Sequence, residues 1–178
     1  MIVRRDYFIE LGGFDEDYFA YFEDTDLCWR AWLRGYKCVY VPSSIVYHKF
    51  GGSWGRRKSP IRIFLGTRNR LYNLIKNFEL GDMLIAFLGS IIFDILRFLL
   101  LIRSKRYDGA LAIIKAYRAF FKNIRKFVKK RYVVSQLRKL SDKELKTKGV
   151  FLSLKDSLQA LLELEIRTNI IKKLFDSS

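Results

Sequence analysis

The sequence predicts an α/β head followed by a helical, membrane-associated tail, and three observations carry that reading. First, charge is divided along the chain: residues 1–50 hold six Lys and Arg against eight Asp and Glu, and the remainder holds 28 against 10. An acidic head on a basic tail suggests two tasks, with the tail facing something anionic. Second, two helix-like segments in the head are followed by β-branched and aromatic residues between positions 37 and 47. Third, the run MLIAFLGSIIFDILRFLLLI, residues 83–102, has about the length of a bilayer crossing. Half the 178 residues are apolar and 16% are aromatic, enough for a packed core, so global disorder is excluded.

Residues 4–11 read as a short helix, because Phe8 and Leu11 recur at helical spacing and Gly12-Gly13 supplies a left-handed stop. A second helix is predicted from Asp24 to Leu33, closed by Gly35. Lys37 to Val41 and Ile45 to Tyr47, on either side of a Pro-Ser-Ser break, read as two short strands. A third helix is predicted from Pro60 to Phe78, with proline in its first turn and Ile63, Phe64, Leu71, Leu74, Ile75 and Phe78 along one side.

Basic residues flank the apolar run on both sides: Arg68, Arg70 and Lys76 before it, Arg103, Lys105 and Arg106 after. The positive-inside rule places such charges on one side of a span, and Asp94 and Arg97 inside the run are spaced to pair on one helical face. An interfacial or re-entrant helix therefore ranks above a true span, and a buried soluble helix third. Residues 108–131 predict a basic amphipathic helix, with Leu111, Ile114, Tyr117, Phe121, Ile124 and Val128 as its apolar stripe. Lys115, Arg118, Lys122, Arg125, Lys126 and Lys129 fill the other face, suited to anionic head groups or simply solvated. Ser153 and Asp156 predict an N-cap for a last helix reaching about Phe175. These readings divide the chain into a head at 1–80, membrane-associated helices at 81–132 and a helical tail at 133–178.

Cys28 and Cys38, ten apart with a single histidine in the chain, do not have zinc-site spacing and read as reduced, buried thiols. Met1 is followed by Arg4, Arg5 and Asp6 rather than by an apolar run, which with the absence of a disulfide framework predicts a cytosolic face.

The chemistry concentrates in residues 12–50. Glu23, Asp24 and Asp26 cluster at a helix start, where the dipole favours negative charge, and Tyr18, Phe19, Tyr21 and Phe22 hem them in. Mutual repulsion and partial burial suit one such carboxylate to proton abstraction; helix capping is the plainer alternative. His48 ends an apolar strand-like run and reads either as a packing residue or as a group returned to the carboxylate cleft near a metal or diphosphate.

The segment GGFDEDYFAYFEDTDLCWRAWLRGYKCVYVPSSIVYH carries four motifs in order: the Gly-Gly-Phe-Asp-Glu turn, the Glu-Asp-x-Asp-Leu cluster, the Arg-x-x-x-x-Gly-Tyr helix end and the Val-Pro…Tyr-His pair. It resembles the acceptor-side region of family 2 glycosyltransferases with the GT-A fold, particularly rhamnosyltransferase-like enzymes that build cell-surface polysaccharides. The likeness covers about residues 1–80 and implies part of a GT-A fold and inverting sugar transfer. By that resemblance Asp24 is the general base and Glu23 shapes the acceptor pocket. Gly13, Phe14, Asp15, Asp26, Trp54 and Arg56 belong to the acceptor-binding set, with Asp26 supporting the helix start. The GGSWGRRK stretch, with Trp54, Arg56 and Arg57, reads as a loop that closes over a substrate or as a basic surface loop. Arg68-Asn69 resembles the family's Arg-Asn pair, to which the sequence assigns no chemistry. His48 coordinates a divalent cation, Mg²⁺ or Mn²⁺, or touches the diphosphate. The family places the principal metal carboxylates, an Asp-x-Asp, in a Rossmann-like half ahead of this region, so the resemblance implies an internal start or a separate chain supplying that half.

The partners implied are a nucleotide-sugar donor, a glycan or lipid-linked acceptor and an anionic membrane surface, at the cytoplasmic face of the cell membrane. A non-catalytic membrane-surface module derived from such an enzyme is the main alternative. Nucleic-acid binding ranks below both, because the basic residues share helices with a broad apolar stripe and no binding motif is present.

Overall fold

The computed structural model describes residues 1–47 and 59–151. Helices α1 (Arg5–Glu10), α2 (Glu23–Arg34), α3 (Pro60–Asn77), α4 (Leu80–Arg103) and α5 (Tyr107–Leu137) belong to a unit spanning Met1–Leu140. A second unit, Ser141–Ser178, contains α6 (Asp142–Thr147), which begins at a reciprocal capping box between Ser141 and Glu144. That box is absent from the sequence reading, and the cap predicted at Ser153 and Asp156 lies outside the described residues.

Local signals account for several helix ends. Gly12 and Gly13 take φ of 80° and 67° and stop α1; Gly35, at φ 92°, closes α2. Pro60 starts α3, where a missing amide hydrogen costs nothing. The far end of α3 relies on tertiary partners instead. Arg131 of α5 donates through Nη1 to the carbonyls of Ile75 at 2.8 Å and Phe78 at 2.6 Å, and Arg138 donates to Asn77 O. Carbonyls that a helix end leaves unpaired are thus met by guanidinium groups.

The main core lies between α3 and α5. Leu71, Tyr72, Leu74 and Ile75 meet Phe120 and Phe127, and Tyr18 from the head completes the cluster. The Tyr72 and Phe127 rings stack with centroids 3.6 Å apart and planes 9° from parallel. A second cluster joins Ile63, Leu101, Ala110, Ala112 and Ile113 at the start of α5. There a Cβ on Gly109 would stand 3.0 Å from Ile63 Cδ1 and 3.1 Å from Leu101 Cδ2, so a larger residue would require those side-chain ends to give way. A smaller cluster of Leu11, Leu27 and Ala31 joins α1 to α2, beside a Tyr7–Tyr36 stack at 4.0 Å.

Four sequence expectations need correction. Among the described residues the head is helical and no strand forms: 37–47 is irregular chain with a turn at 42–43. Val39, Tyr40, Ile45, Val46 and Tyr47 are exposed there. Strand propensity is a preference for a pleated, half-buried surface, and no described backbone pairs with this segment to supply one. Second, the buried side of α5 is Ala112, Ile113, Ala116, Phe120 and Phe127, whereas Leu111, Ile114, Phe121 and Val128 of the expected stripe are exposed. Third, Asp94 pairs with Arg70 of α3 at 2.5 Å and the Tyr117 hydroxyl of α5 at 2.9 Å. The expected i,i+3 partner, Arg97, is not the group that meets it, because Asp94 points into the helix bundle. Fourth, Arg68, Arg70 and Lys76 are not a free basic flank of the apolar run: all three make internal contacts, so their charge is not offered to a surface. Lys126, though exposed, pairs with Asp17.

Phe127 and Phe121 separate these two views of α5. Phe127→Ala is expected to lower unfolding free energy by about 3–5 kcal/mol, and Phe121→Ala to change it by less than about 0.5 kcal/mol. Urea denaturation of the two variants measures the contrast, and equal losses would contradict the observed facing.

Candidate functional site

The acidic first turn of α2 divides its carboxylates by direction. Asp26 has no accessible surface, while Asp24 faces solvent and Glu23 is half-buried. Asp24 Oδ1 accepts from the Thr25 amide at 2.7 Å and the Thr25 hydroxyl at 3.3 Å. Glu23 Oε2 is closed off from solvent and receives no hydrogen bond among the described residues.

Asp26 is the centre of a buried ionic cluster. Arg30, one turn along α2, approaches it at 2.7 Å, and Lys76 Nζ and Asn77 Nδ2 of α3 each lie 3.0 Å away. The Tyr18 hydroxyl donates to Asn73 Oδ1 at 2.7 Å and lies 3.4 Å from Asp26. Burial, then the charges of Asp26 and Asp15, push the Tyr18 phenol well above its usual range, so it remains a donor. Arg30 also donates to Gly13 O at 2.7 Å and to Leu11 O, which ties the glycine turn to α2.

The turn that presents Glu23 and Asp24 is conformationally costly. Phe19, Tyr21 and Phe22 take φ of 63°, 68° and 70°, a region open to glycine and unfavourable for bulky side chains by about 1–3 kcal/mol apiece. Asn69, fully buried on α3, holds it: Nδ2 reaches the carbonyls of Tyr18 at 2.9 Å and of Ala20 and Tyr21 at 2.8 Å. Arg68 Nη2 adds contacts at 3.1 Å to Asp17 O and Tyr18 O, and its Nε orients Asn69 Oδ1 at 2.9 Å. The Arg-Asn pair left without a role in the sequence is a backbone clamp. Asn69, Asn73 and Asn77 recur every fourth residue along an otherwise apolar, buried helix face. That polar ladder was the signal available beforehand, since buried amides require partners.

Beside this turn lies a cleft of about 530 Å³ whose walls include Gly12, Phe14, Asp15, Asp17, Lys76 and Lys130. Asp15 meets Lys76 at 2.6 Å and also Lys130, and Asp17 meets Lys126 at 2.6 Å and Lys130. Burial opposes ionisation of Asp15, yet hydrogen bonds from Lys130 and Lys76 outweigh it and hold the carboxyl at about 2. The Asp17 carboxyl is lowered in the same way, with burial opposing and Lys126 and Lys130 prevailing.

Phe14 and Asp15 therefore line a cleft, but Glu23 and Asp24 are not among its walls, so the expected base and these expected acceptor contacts do not share one described cavity. Gly13 shapes the turn, and Asp26 serves the interior. His48, Trp54, Arg56 and Arg57 lie outside the described residues. Among the described residues no three His, Cys, Asp or Glu side chains gather as a metal site, and Asp15, Asp17 and Asp26 are each already met by cations. The described residues thus do not fit a divalent cation. Cys28 and Cys38 are free and half-buried; burial, then the neighbouring Cys28, pushes the Cys38 thiol up to about 12.

Comparison with known proteins adds a family. A family model described as glycosyl transferase family group 2 matches residues 1–121, which include the acidic turn and the Arg68-Asn69 clamp. The N-acetylglucosaminyl-diphospho-decaprenol L-rhamnosyltransferase of Mycobacterium tuberculosis is 50% identical over 56 residues, 32% of this chain and 18% of that protein. Rhamnosyltransferase WbbL of Escherichia coli is 46% identical over 48 residues, 27% of this chain and 18% of that protein. The match thus spans less than a fifth of the length of these relatives. No solved structure matches the chain.

Two measurements test the site's construction. Asn69→Ala should cost on the order of 3 kcal/mol, because several buried carbonyls lose their donor, and should speed amide exchange across 18–22. Asn69→Asp, though isosteric, should be no milder, since it turns an acceptor toward those carbonyls. For Asp15 the folded pKa lies below the unfolded value of 3.8. Its contribution is therefore complete above about pH 4 and is lost as pH falls toward 2. The stability gap between the parent and Asp15→Asn, followed by urea midpoints, should narrow across that window.

Proposed function

We propose a sugar-transfer function on the premise that this chain belongs to glycosyl transferase family group 2 and is rhamnosyltransferase-like. In this reading, residues 1–80 supply the acceptor side of a reaction that moves a sugar from a nucleotide-sugar donor to a hydroxyl of a cell-surface glycan or lipid-linked acceptor. The observation that carries it is the exposed Asp24 carboxylate on a costly turn held by Asn69, within the matched segment. Strained backbone over-determined by its surroundings is what positioning a reactive group requires.

Asp24 acts as the base. Both described donors fall on Oδ1, leaving Oδ2 to accept the proton of an incoming alcohol. As that proton leaves, the alcohol oxygen bonds to the anomeric carbon from the face opposite the departing nucleoside diphosphate, inverting the centre. Base assistance of this kind contributes roughly 10²- to 10⁴-fold. Glu23 shapes the acceptor pocket as the neighbour of Asp24 in the first turn of α2. A divalent cation, Mg²⁺ or Mn²⁺, would stabilise the leaving diphosphate, held by carboxylates of a nucleotide-binding half and approached by His48.

One relative's name specifies a decaprenol-linked acceptor. A polyprenyl diphosphate acceptor would account for α4, which is long and apolar enough to cross a membrane. On this reading the transfer takes place at the cytoplasmic membrane face.

The decisive experiment measures transfer from a nucleotide-sugar to a lipid-linked glycan with the nucleotide-binding half supplied. Asp24→Asn should lower kcat by about 10²- to 10⁴-fold with KM little changed. Near-normal turnover would remove Asp24 as the base, and no transfer by the parent chain would favour the non-catalytic membrane module.

A further inference from the structure

Helix α4 has two unlike sides. On one, Ser90, Asp94 and Leu101 are buried, and Asp94 is fixed between Arg70 of α3 and Tyr117 of α5. On the other, Leu84, Leu88, Ile92, Ile95 and Leu99 are exposed at spacings of three and four, forming one continuous apolar stripe. Only 11% of the most apolar 18-residue window is buried.

Helix α5 extends that surface. At 100° per residue, passing round α5 from Tyr117, which touches α4, the next strip is Ile114, Phe121, Val128 and Tyr132, all exposed. The strip after it is Lys115, Arg118, Lys122, Arg125 and Lys129, also exposed. The order across the molecule is therefore apolar α4, apolar edge of α5, then a row of cations.

We infer that α4 lies in the plane of an anionic phospholipid surface, its apolar stripe in the acyl boundary and the α5 cations among the head groups, and that it does not cross the bilayer. The pairing at Asp94 is the reason. It pins the middle of α4 to two charged helices, so an upright α4 would carry Arg70 of α3 and Lys115 and Arg118 of α5 toward the hydrocarbon centre. Lying flat, every one of these charges stays at or above the head groups. A second copy of the chain is a poorer occupant, because pairing the apolar stripes would bring two cationic rows together, whereas acidic lipid neutralises the row.

The test uses the full chain and sealed vesicles of phosphatidylcholine, with or without phosphatidylglycerol, and no sugar donor. Binding should require phosphatidylglycerol and weaken with salt. Joint Lys122→Gln, Arg125→Gln and Lys129→Gln should weaken it by on the order of a hundred-fold, at roughly five-fold per cation. Joint Ile92→Asp and Leu96→Asp, on exposed positions, should abolish it while circular dichroism is retained. With Cys28→Ser and Cys38→Ser as background, Gly81→Cys and Ser104→Cys, at the two ends of α4, should both react with an impermeant maleimide added outside. Reaction at one end only would show a span and overturn the inference. So would binding indifferent to lipid charge, or a stable lipid-free dimer that shields position 92. Transfer activity is not read in this assay, so its failure leaves the proposed reaction standing, and loss of the reaction leaves the membrane seat standing.

Discussion

A carboxylate with no access to water has to be neutralised where it stands, and Asp26 imposes that condition on everything around it. Arg30 comes from the same helix and Lys76 and Asn77 from α3, so α2 cannot shift against α3 without stranding charge. The arrangement propagates outward. Lys76 also holds Asp15, Asp15 holds Lys130, and Arg30 holds the carbonyls of the glycine turn. Removing one member of such a cluster leaves its partner charged and dry, a far larger penalty than the worth of any one contact. The cluster therefore contributes less to net stability than to fixing a single relation among α2, α3, α5 and the loop between α1 and α2.

That fixed relation is what makes the acidic turn possible. Three bulky residues in a glycine-like conformation would relax if the carbonyls of the turn were free to rotate toward solvent. Asn69 and Arg68 occupy those carbonyls from α3, and α3 is itself held in register by the Asp26 cluster and by Tyr72 and Phe127 in the core. Rigidity built by burial on one side of α2 thus delivers an exposed carboxylate in a defined attitude on the other. Acidic residues in the first turn of α2 also suit the helix dipole, which stands in for the side-chain cap that Phe22 cannot provide.

Much of this was legible from residue types. Gly12-Gly13, Gly35 and Pro60 announced where helices stop and start because their backbone preferences are intrinsic and need no neighbours. Features that depend on neighbours were not legible. Val39, Tyr40 and Val46 have strand-forming side chains, yet a ladder needs a second backbone that one segment's composition cannot supply. On α5 large apolar residues fall on two adjoining faces, so residue type alone did not say which one packs: the expected stripe includes the exposed edge, and Ile113, Phe120 and Phe127 with Ala112 and Ala116 form the buried face. The carboxylate cluster of α2 was recognised, but its division into an inward Asp26 and an outward Asp24 follows from how α2 rolls against α3. Lys76, Arg70 and Arg68 looked like a positive flank; Lys76 and Arg70 are internal counterions and Arg68 a donor to backbone carbonyls, on the helix that carries the asparagine ladder.

The guanidinium groups of Arg131 and Arg138, closing the last turn of α3 from near the opposite end of α5, set a lower limit on how much polypeptide can be detached from this assembly. Lys76 and Asn77, which neutralise Asp26, occupy that same last turn. A chain ending anywhere in the first two-thirds of α5 would leave those carbonyls bare and loosen the side chains that secure a carboxylate more than fifty residues upstream. The acidic turn is thus hostage to a helix far downstream, and the smallest heritable module containing it extends well past the motifs by which it is recognised.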